Sequence, residues 1–474
     1  NRLSNSFDFG NGYNWLVHEW PQLVLKKSSD EEIQGHFFDE KSHAEYLGDR
    51  KPTGCTVVLL RGTRNALWFD EFKKGKNEYE WLPRYGAAHK LVHDETSMQF
   101  RLAAPNGHVW EFDDFTPVCG RKLMVWPEEE RFKRSPGCLK RHIGPGGEEL
   151  TAHWHKCKLQ KVERSCQQDG QTVTEQLLYE YLPDKTGSDR PNPNAGRLMS
   201  VTLKRDGHRK LSGYVRRVLY TYYGVKEEHG YVGDLKTALA QFWDDGWKNR
   251  PNAVQYFRYH RSRARGFANG TYCQGMLKHY VGPEAYARLK SRGIAPEKAS
   301  DSILDKYADL RVNYYDGRHG RKAQHVKEVR LNGGAYVYKY DYVHKEDRKP
   351  LRGIFNEWQQ KTIETRPDES QRIVYTDFTG KVLLTDLKES KKSVADSGQD
   401  RSELRNWTHF YLYGSAYGQL LARALPSTIQ GYSEDSEYGQ LWEDPTPPPN
   451  QNDLPPELRS TRTPIRAFSK GLKV

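Results

Sequence analysis

The clearest structural signal in this sequence is the segment Ala335-Tyr336-Val337-Tyr338-Lys339-Tyr340. Its tyrosines recur at every second position, and a period of two places them on one face of a β-strand. The same alternation of large residues returns at residues 176–181, 217–222 and 409–413. Composition agrees, because 29 Tyr and 12 Trp suit half-buried pleated surfaces and 40 Gly supply turns. The sequence therefore predicts an all-β fold.

Residues 283–310 depart from this alternation. The two halves of this segment, 283–290 and 296–310, each begin with Pro at a first-turn position followed by Glu. Apolar residues then recur at helical spacing. We therefore expect a small helical insert of two helices in an otherwise β chain.

A turn signature recurs three times in the second half of the chain. In each copy a Tyr is followed five residues later by a Gly and then by a long polar residue. The pairs are Tyr315 and Gly320, Tyr375 and Gly380, and Tyr413 and Gly418. The Tyr is expected to end one strand, and the Gly to supply a positive φ in the turn before the next strand. Such a unit cannot bury its apolar face alone, so its copies must pair edge to edge into a long sheet.

These motifs resemble the repeats of bacterial Rhs proteins, also called YD-repeat proteins, which are related to the teneurins. Tyr315-Asp316 and Tyr340-Asp341 match the Tyr-Asp element of that family. Gly196-Arg197-Leu198 and the strand that follows match its Gly-Arg-Leu element. Residues 9–15 resemble the segment that precedes the repeats. Two copies depart from the pattern, because Thr follows Tyr375 and Gly follows Tyr413 in place of Asp.

The resemblance covers roughly residues 1–440 and implies a long antiparallel β-sheet that spirals into a shell-like wall. It also implies the domain organisation. Residues 1–130 would form an N-terminal β region, and residues 131–440 would form the repeat region that contains the helical insert. Residues 441–474, which are rich in Pro, predict an extended linker or tail.

In the family such a shell can enclose a C-terminal toxin or effector domain, which is released by self-cleavage at an Asp-Pro motif followed by spaced glycines. Here Asp444-Pro445 is followed by Thr446 and Pro447, with no Gly in place. The sequence therefore lacks this cleavage motif. The resemblance implies a location on or outside a bacterial cell.

A candidate metal site rests on His153, His155 and Cys157, which alternate along one predicted strand. A period of two puts the three side chains on one face, as a metal-binding ribbon needs. A structural zinc site requires a fourth ligand. The alternative is a polar stripe on one face of a strand. We favour the polar stripe and expect no bound metal and no cofactor.

Charge and motifs limit the remaining functions. The net charge is +12, but the 74 basic residues are mixed with 62 acidic ones and form no long basic block, so we expect no nucleic-acid partner. No run of 18 apolar residues predicts a membrane span. Gly380-Lys381 lacks the earlier Gly of a phosphate loop, and residues 413–418 lack the first Gly of a nucleophile elbow. The six cysteines neither demand nor exclude disulfides.

Three hypotheses follow. The first is a structural repeat protein, the wall of an Rhs-type shell that encapsulates or presents an effector domain, with no catalytic site. The second is a binding or adhesion module for cell-envelope glycans that uses exposed aromatic and basic residues. The third is an enzyme with a scattered site, which hydrolysis of a broad substrate panel would support.

Overall fold

A computed structural model describes fifteen segments of the chain. They are residues 20–27, 50–61, 65–75, 78–84, 88–115, 136–155, 158–168, 170–185, 190–206, 213–261, 275–345, 356–390, 406–414, 420–429 and 431–432.

These residues form a 24-stranded sheet. The strands are β1 (Gln22–Lys27), β2 (Lys51–Arg61), β3 (Asn65–Lys73), β4 (Tyr79–Pro83), β5 (Lys90–Asp94), β6 (Gln99–Ala103), β7 (Val109–Asp113), β8 (Leu139–Ile143), β9 (Glu149–His155), β10 (Lys158–Gln168), β11 (Gln171–Tyr181), β12 (Leu198–Asp206), β13 (Gly213–Tyr222), β14 (Leu235–Trp243), β15 (Trp247–Tyr259), β16 (Leu277–Val281), β17 (Leu310–Tyr314), β18 (Val326–Leu331), β19 (Tyr336–His344), β20 (Gln360–Thr365), β21 (Gln371–Thr376), β22 (Val382–Lys388), β23 (Asn406–Tyr413) and β24 (Leu420–Ala424).

The topology is a single antiparallel meander. Each strand pairs with the strand that follows it in sequence, from β1 with β2 through to β23 with β24. Within the described segments no ladder joins β24 to β1, so the sheet stays open. The predicted all-β fold with a small helical insert is confirmed.

Period-two alternation explains how the first strands bury their side chains. In β6, Phe100 and Leu102 are fully buried, whereas Arg101 between them is exposed. The large side chains of β1 to β8 meet in one apolar core. Its buried members are Leu23, Cys55, Val57, Leu59, Phe69, Trp81, Leu91, Phe100, Leu102, Trp110, Phe112, Phe115 and Leu139. Because this alternation points one face of every strand at the core, it sets the pairing register of these strands.

The first strand also contacts the chain just before β8. The backbone N–H of Leu23 donates to the carbonyl oxygen of Gly137 (2.8 Å), and Gln22 bridges to Cys138. Gly137 has a φ of +68°, and a Cβ there would stand 2.1 Å from the Leu23 oxygen. Only glycine fits this close approach. The N-terminal part of the sheet therefore curls so that β1 reaches the start of β8.

Three smaller apolar clusters lie along the rest of the sheet. One is formed by residues between Ala152 and Leu198, and one by residues between Trp358 and Ala424. The third joins the sheet to the helical insert and includes Tyr256, Leu289 and Leu304. Several local cores are expected when each repeat contacts only its neighbours.

The insert between β16 and β17 contains helices α1 (Pro283–Ser291) and α2 (Asp301–Leu304). The first matches the predicted helix, but the prediction of one helix over 296–310 is wrong, because only a four-residue helix forms there. Arg258 takes the carbonyl oxygens of Pro296 and Ala299 as hydrogen-bond acceptors, so the chain turns around this guanidinium. Short 3₁₀ segments occur at Gly317–Lys322, which is kinked at His319 and Gly320, and at Asn332–Gly334 and Pro426–Thr428.

Several predictions fall outside the described segments. They concern residues 9–15, Cys157, Gly418 and the Pro-rich tail at 441–474. Among the helices that the structure does describe, none combines the length and the apolar character needed to cross a membrane.

Candidate functional site

The repeat turns are the first candidate, and the turn between β17 and β18 contains Tyr315 and Gly320. Asp316 accepts a hydrogen bond from the backbone N–H of Arg318 (3.1 Å), which starts the turn. Gly320 has a φ of +54°, as the turn signature predicts. The next strand begins later than the signature suggests, at Val326. The unit is therefore a strand, a turn with a kinked 3₁₀ segment, and a returning strand.

The second Tyr-Asp element, Tyr340-Asp341, lies inside β19 and not at the end of a strand. The structure nevertheless brings the two Tyr-Asp elements together. The hydroxyl of Tyr315 donates to the carbonyl oxygen of Tyr340 (2.9 Å), and the ammonium of Lys322 contacts the carboxylate of Asp341 at 2.6 Å. The two elements thus join the β17–β18 turn to β19.

The turn between β21 and β22 is organised by a residue that the sequence analysis did not single out. Gly380 has a φ of +84°, and Tyr375 is fully buried. The carboxylate of Asp377 accepts hydrogen bonds from the backbone N–H of Thr379 (2.8 Å) and of Lys381 (2.9 Å). Burial raises the pKa of Asp377, and these hydrogen bonds oppose that effect. An Asp two residues after the Tyr and three before the Gly is the signal that would have identified it.

The third copy is described only at its first half. Tyr413 is the last residue of β23, and its hydroxyl donates to the carbonyl oxygen of Val382 (3.0 Å). The side-chain amide of Asn356 accepts from the Tyr413 N–H and donates to the Tyr413 carbonyl, both at 2.7 Å. Its Gly418 lies among the residues that are not described.

The Gly-Arg element precedes β12 and contacts the next turn along the sheet. Gly196 has a φ of +73°, and its N–H donates to the carbonyl oxygen of Leu182 (2.8 Å). The buried guanidinium of Arg197 donates to the side chain of Asn194 (3.1 Å). A Cβ at Gly233 would lie 1.8 Å from an Arg197 terminal nitrogen. Arg197 therefore packs the turn before β12 against the turn before β14.

We expect Gly380→Val to lower the free energy of unfolding by about 1–3 kcal/mol, the strain of a bulky residue at positive φ. Apart from the two chain neighbours, no atom of the described residues lies within 4 Å of a Cβ built at Gly380, so the backbone conformation alone causes the loss. Gly431→Val is the control, because that site is equally open but lacks a positive φ. Urea unfolding measures both variants. Equal stability of the two would show that the Gly380 turn does not require glycine.

The candidate metal ligands lie only partly among the described residues. His153 and His155 are both exposed on β9, and His153 Nε2 lies 2.8 Å from Glu163 on β10. Cys157 is outside the described residues. Across those residues, no group of three or more His, Cys, Asp or Glu side chains could hold a metal ion. The arrangement pairs His153 on β9 with Glu163 on β10 across the two strands.

Two buried histidines pair with carboxylates. His93 Nε2 lies 2.9 Å from Asp114, which ties β5 to the end of β7. His279 Nε2 lies 2.7 Å from Asp305, which ties β16 to the insert. Such a pair activates a nucleophile only when a hydroxyl or thiol reaches the other ring nitrogen. In the described part of the chain, no Ser, Thr or Cys side chain reaches the other ring nitrogen of His93 or His279. Each His–Asp pair instead joins two segments of the fold.

The pair at the insert belongs to a larger charge network. Lys278 contacts Asp301, and Arg311 contacts Asp305, each at 2.5 Å. Burial raises the pKa of Asp301, but the hydrogen bond and charge of Lys278 outweigh it and hold the pKa at about 2. His279 is fully buried, and its Nδ1 has no hydrogen-bond partner among the described residues. This network fixes the insert to the sheet by side chains far apart in sequence.

Mild acid should weaken this attachment through His279. Burial lowers the pKa of His279 below its ordinary value of 6.5, although Asp305 and Asp301 oppose the shift and Lys278 reinforces it. Below about pH 6.5 this histidine is therefore protonated in the unfolded chain, whereas in the folded chain its protonation needs a lower pH. The free energy of unfolding falls as the pH falls. Because the pKa of Asp301 is about 2, its own contribution persists until lower pH.

The free energy of unfolding of the wild-type protein should fall between about pH 6.5 and pH 4.5, and we expect a smaller fall in His279→Gln. His155→Gln, which changes an exposed histidine, should leave the slope of the wild-type protein in place. Urea unfolding at a series of pH values measures the slope. An unchanged slope in His279→Gln would show that another group causes the acid sensitivity.

Comparison with known proteins adds a distant structural likeness. The sequence matches no known family model and no curated protein. Among solved structures, the fold is similar to that of a porin-like protein from Bacteroides uniformis. The identity is 8%, and the match covers 83% of this chain and 95% of that protein, with a TM-score of 0.17. A likeness at that TM-score carries no argument about this protein.

Proposed function

We propose that this chain forms part of the wall of an Rhs-type β-shell and has a structural role. The observation that carries the proposal is the unbroken meander, in which every described strand pairs with its sequence neighbour over residues 22–424. A wall of this kind grows by adding strand–turn–strand units, each of which contacts only the next. The Tyr-Gly turns and the Arg197 contact between successive turns support the same reading.

The shell would lie on or outside a bacterial cell and would enclose or present an effector domain that is not in this chain. One observation supports an extracytoplasmic location. Cys55, in the core of the first strands, is disulfide-bonded. Such bonds persist in oxidising compartments and are rare in the cytosol.

Cryo-electron microscopy of the natural gene product tests the wall. The expected result is one curved sheet whose concave face, over β9 to β24, surrounds a cavity of solvent or of another domain. Limited proteolysis should leave an enclosed domain intact while the particle is closed. A flat sheet, or one folded into two layers in direct contact throughout, would overturn the proposal.

The wall should not cut itself. Self-cleavage needs a peptide bond held in a fixed attack geometry, and Asp444-Pro445 lies in a Pro-rich sequence without the spaced glycines. After days at neutral and mildly acidic pH, mass spectrometry should show one intact chain of 55.1 kDa. A discrete fragment that ends near Asp444, and that disappears in Asp444→Ala, would make this a self-processing protein.

A further inference from the structure

Three aromatic side chains cluster at the end of the β14–β15 hairpin. Trp243 and Trp247 face each other across the turn, with ring centroids 5.1 Å apart and planes at 81°. Tyr214 on β13 completes the cluster, 5.1 Å from Trp243 and 5.6 Å from Trp247. Tyr214 is 44% exposed and Trp243 is 40% exposed. Large apolar ring faces therefore meet solvent at this end of the sheet.

A row of planar polar side chains continues from the cluster across the same three strands. The guanidinium of Arg217 lies 4.3 Å from the centroid of the Trp247 ring, and its Nε donates to Gln241 (2.8 Å). The amide of Gln241 donates in turn to Asn249 (2.8 Å). With respect to the described residues, the terminal nitrogens of Arg217 and the hydroxyl of Tyr214 have no hydrogen-bond partner. We call this set the aromatic strip: Tyr214, Arg217, Gln241, Trp243, Trp247 and Asn249.

The distances within the strip decide between two ligand classes. A quaternary ammonium ion binds inside a cage of rings, each facing the cation. Here the rings pack directly against one another, and Arg217 already covers one face of Trp247. No space for a cation lies between them. What the strip offers is the outer faces of the rings, beside unused hydrogen-bond donors.

A pyranose sugar has the complementary surface. Its axial C–H groups form a flat apolar face that stacks on Trp or Tyr, and its hydroxyls lie at the rim, where planar amide and guanidinium groups reach them. The charge nearby favours a neutral sugar, because Asp244 and Asp245 are exposed in the turn between the two Trp residues and repel anions. The terminal nitrogens of Arg217 can still donate to hydroxyls.

We propose that the aromatic strip binds a neutral glycan of flat, equatorially substituted pyranose rings. Two rings of the glycan lie over the exposed faces of Tyr214 and Trp243, and Arg217 and Asn249 bind their hydroxyls. This site is independent of the wall function, because it uses the outward side chains of one hairpin and its neighbouring strand. The two proposals can therefore fail independently. The protein could form a wall without binding glycans, and it could bind glycans without forming a wall.

Isothermal titration calorimetry with chitohexaose and cellohexaose tests the site, and polygalacturonate and heparin serve as anionic comparisons. The folded protein should bind at least one neutral hexasaccharide, and 1 M NaCl should not abolish binding. Trp243→Ala should weaken binding by at least about tenfold, as expected for an aromatic anchor. Trp407→Ala is the matched control, because Trp407 is also 40% exposed but lies on β23.

A second variant keeps the test decisive if Trp243→Ala disturbs the hairpin. Arg217→Met retains the three rings and removes the free donors, and it should weaken binding by about tenfold. Circular dichroism and urea unfolding check that each variant is folded. Binding of the anionic polymers alone, no binding of either neutral sugar, or wild-type affinity in the folded Arg217→Met variant would each overturn the proposal.

Discussion

Arg258→Met should destabilise the protein by about 3–5 kcal/mol, because it removes a buried guanidinium and leaves the buried carbonyl groups that it binds without their donor. The guanidinium is fully buried and holds the insert by donating to the carbonyl oxygens of Pro296 and Ala299 and to the carboxylate of Asp301. Methionine keeps most of the volume and none of the donors. The carbonyl oxygens of Pro296 and Ala299 would then lose this donor in a site with little access to water, whereas the partly exposed Asp301 would keep Lys278.

The loss should be local at first. Hydrogen exchange of the backbone N–H groups at 283–308 should speed up in Arg258→Met well before those of β2 and β3, which lie in a separate core. Arg288→Met is the control, since Arg288 is exposed on α1, and its effect on stability should stay within about 0.5 kcal/mol. Equal effects of the two variants would show that the insert does not depend on Arg258.

Asp70→Ala should have an effect of the same size at the other end of the sheet. Arg84 and Asp70 are both almost fully buried, and two guanidinium nitrogens contact the carboxylate at 2.5 Å and 2.7 Å. The hydroxyl of Thr56 donates to the same carboxylate (2.6 Å). Removing the carboxylate leaves a buried positive charge without its counter-ion, so we expect a loss of about 3–5 kcal/mol in urea unfolding.

Two comparisons separate this loss from ordinary damage to the core. The double variant Asp70→Leu with Arg84→Met removes both charges and should recover much of the stability that Asp70→Ala loses. Glu80→Ala breaks the partly exposed pair with Arg50 and should cost less than about 1 kcal/mol. If the double variant were as unstable as Asp70→Ala, packing and not charge would explain the result.

The class of the fold could be predicted because its signal is local. Tyr at every second position around 336–340 is the period of a strand, and the same period marked β11, β13 and β23. The turn glycines could be predicted for the same reason, since positive φ at Gly320 and Gly380 is a property of a few consecutive residues. Helix α1 also starts where its Pro and Glu indicate.

What the sequence could not predict depends on residues that are distant along the chain. The helix expected over 296–310 is broken because Arg258, about forty positions earlier, binds its carbonyl groups. Tyr340-Asp341 has the letters of a turn element but lies in the middle of β19, where pairing with β18 and β20 determines the conformation. The charge network of His279 and the aromatic strip arise in the same way, from the alignment of neighbouring strands.

The sequential pairing of the strands has a consequence for how this protein is made. A strand that pairs only with its predecessor can be added as soon as it leaves the ribosome, without waiting for a distant partner. Contacts of short sequence separation speed folding, so the sheet can lengthen during synthesis from its N-terminal end. At every moment, however, the newest strand presents an unpaired edge that could capture a strand of another chain. Synthesis rate and the protection of that edge, more than final stability, would then govern the yield of correctly assembled protein.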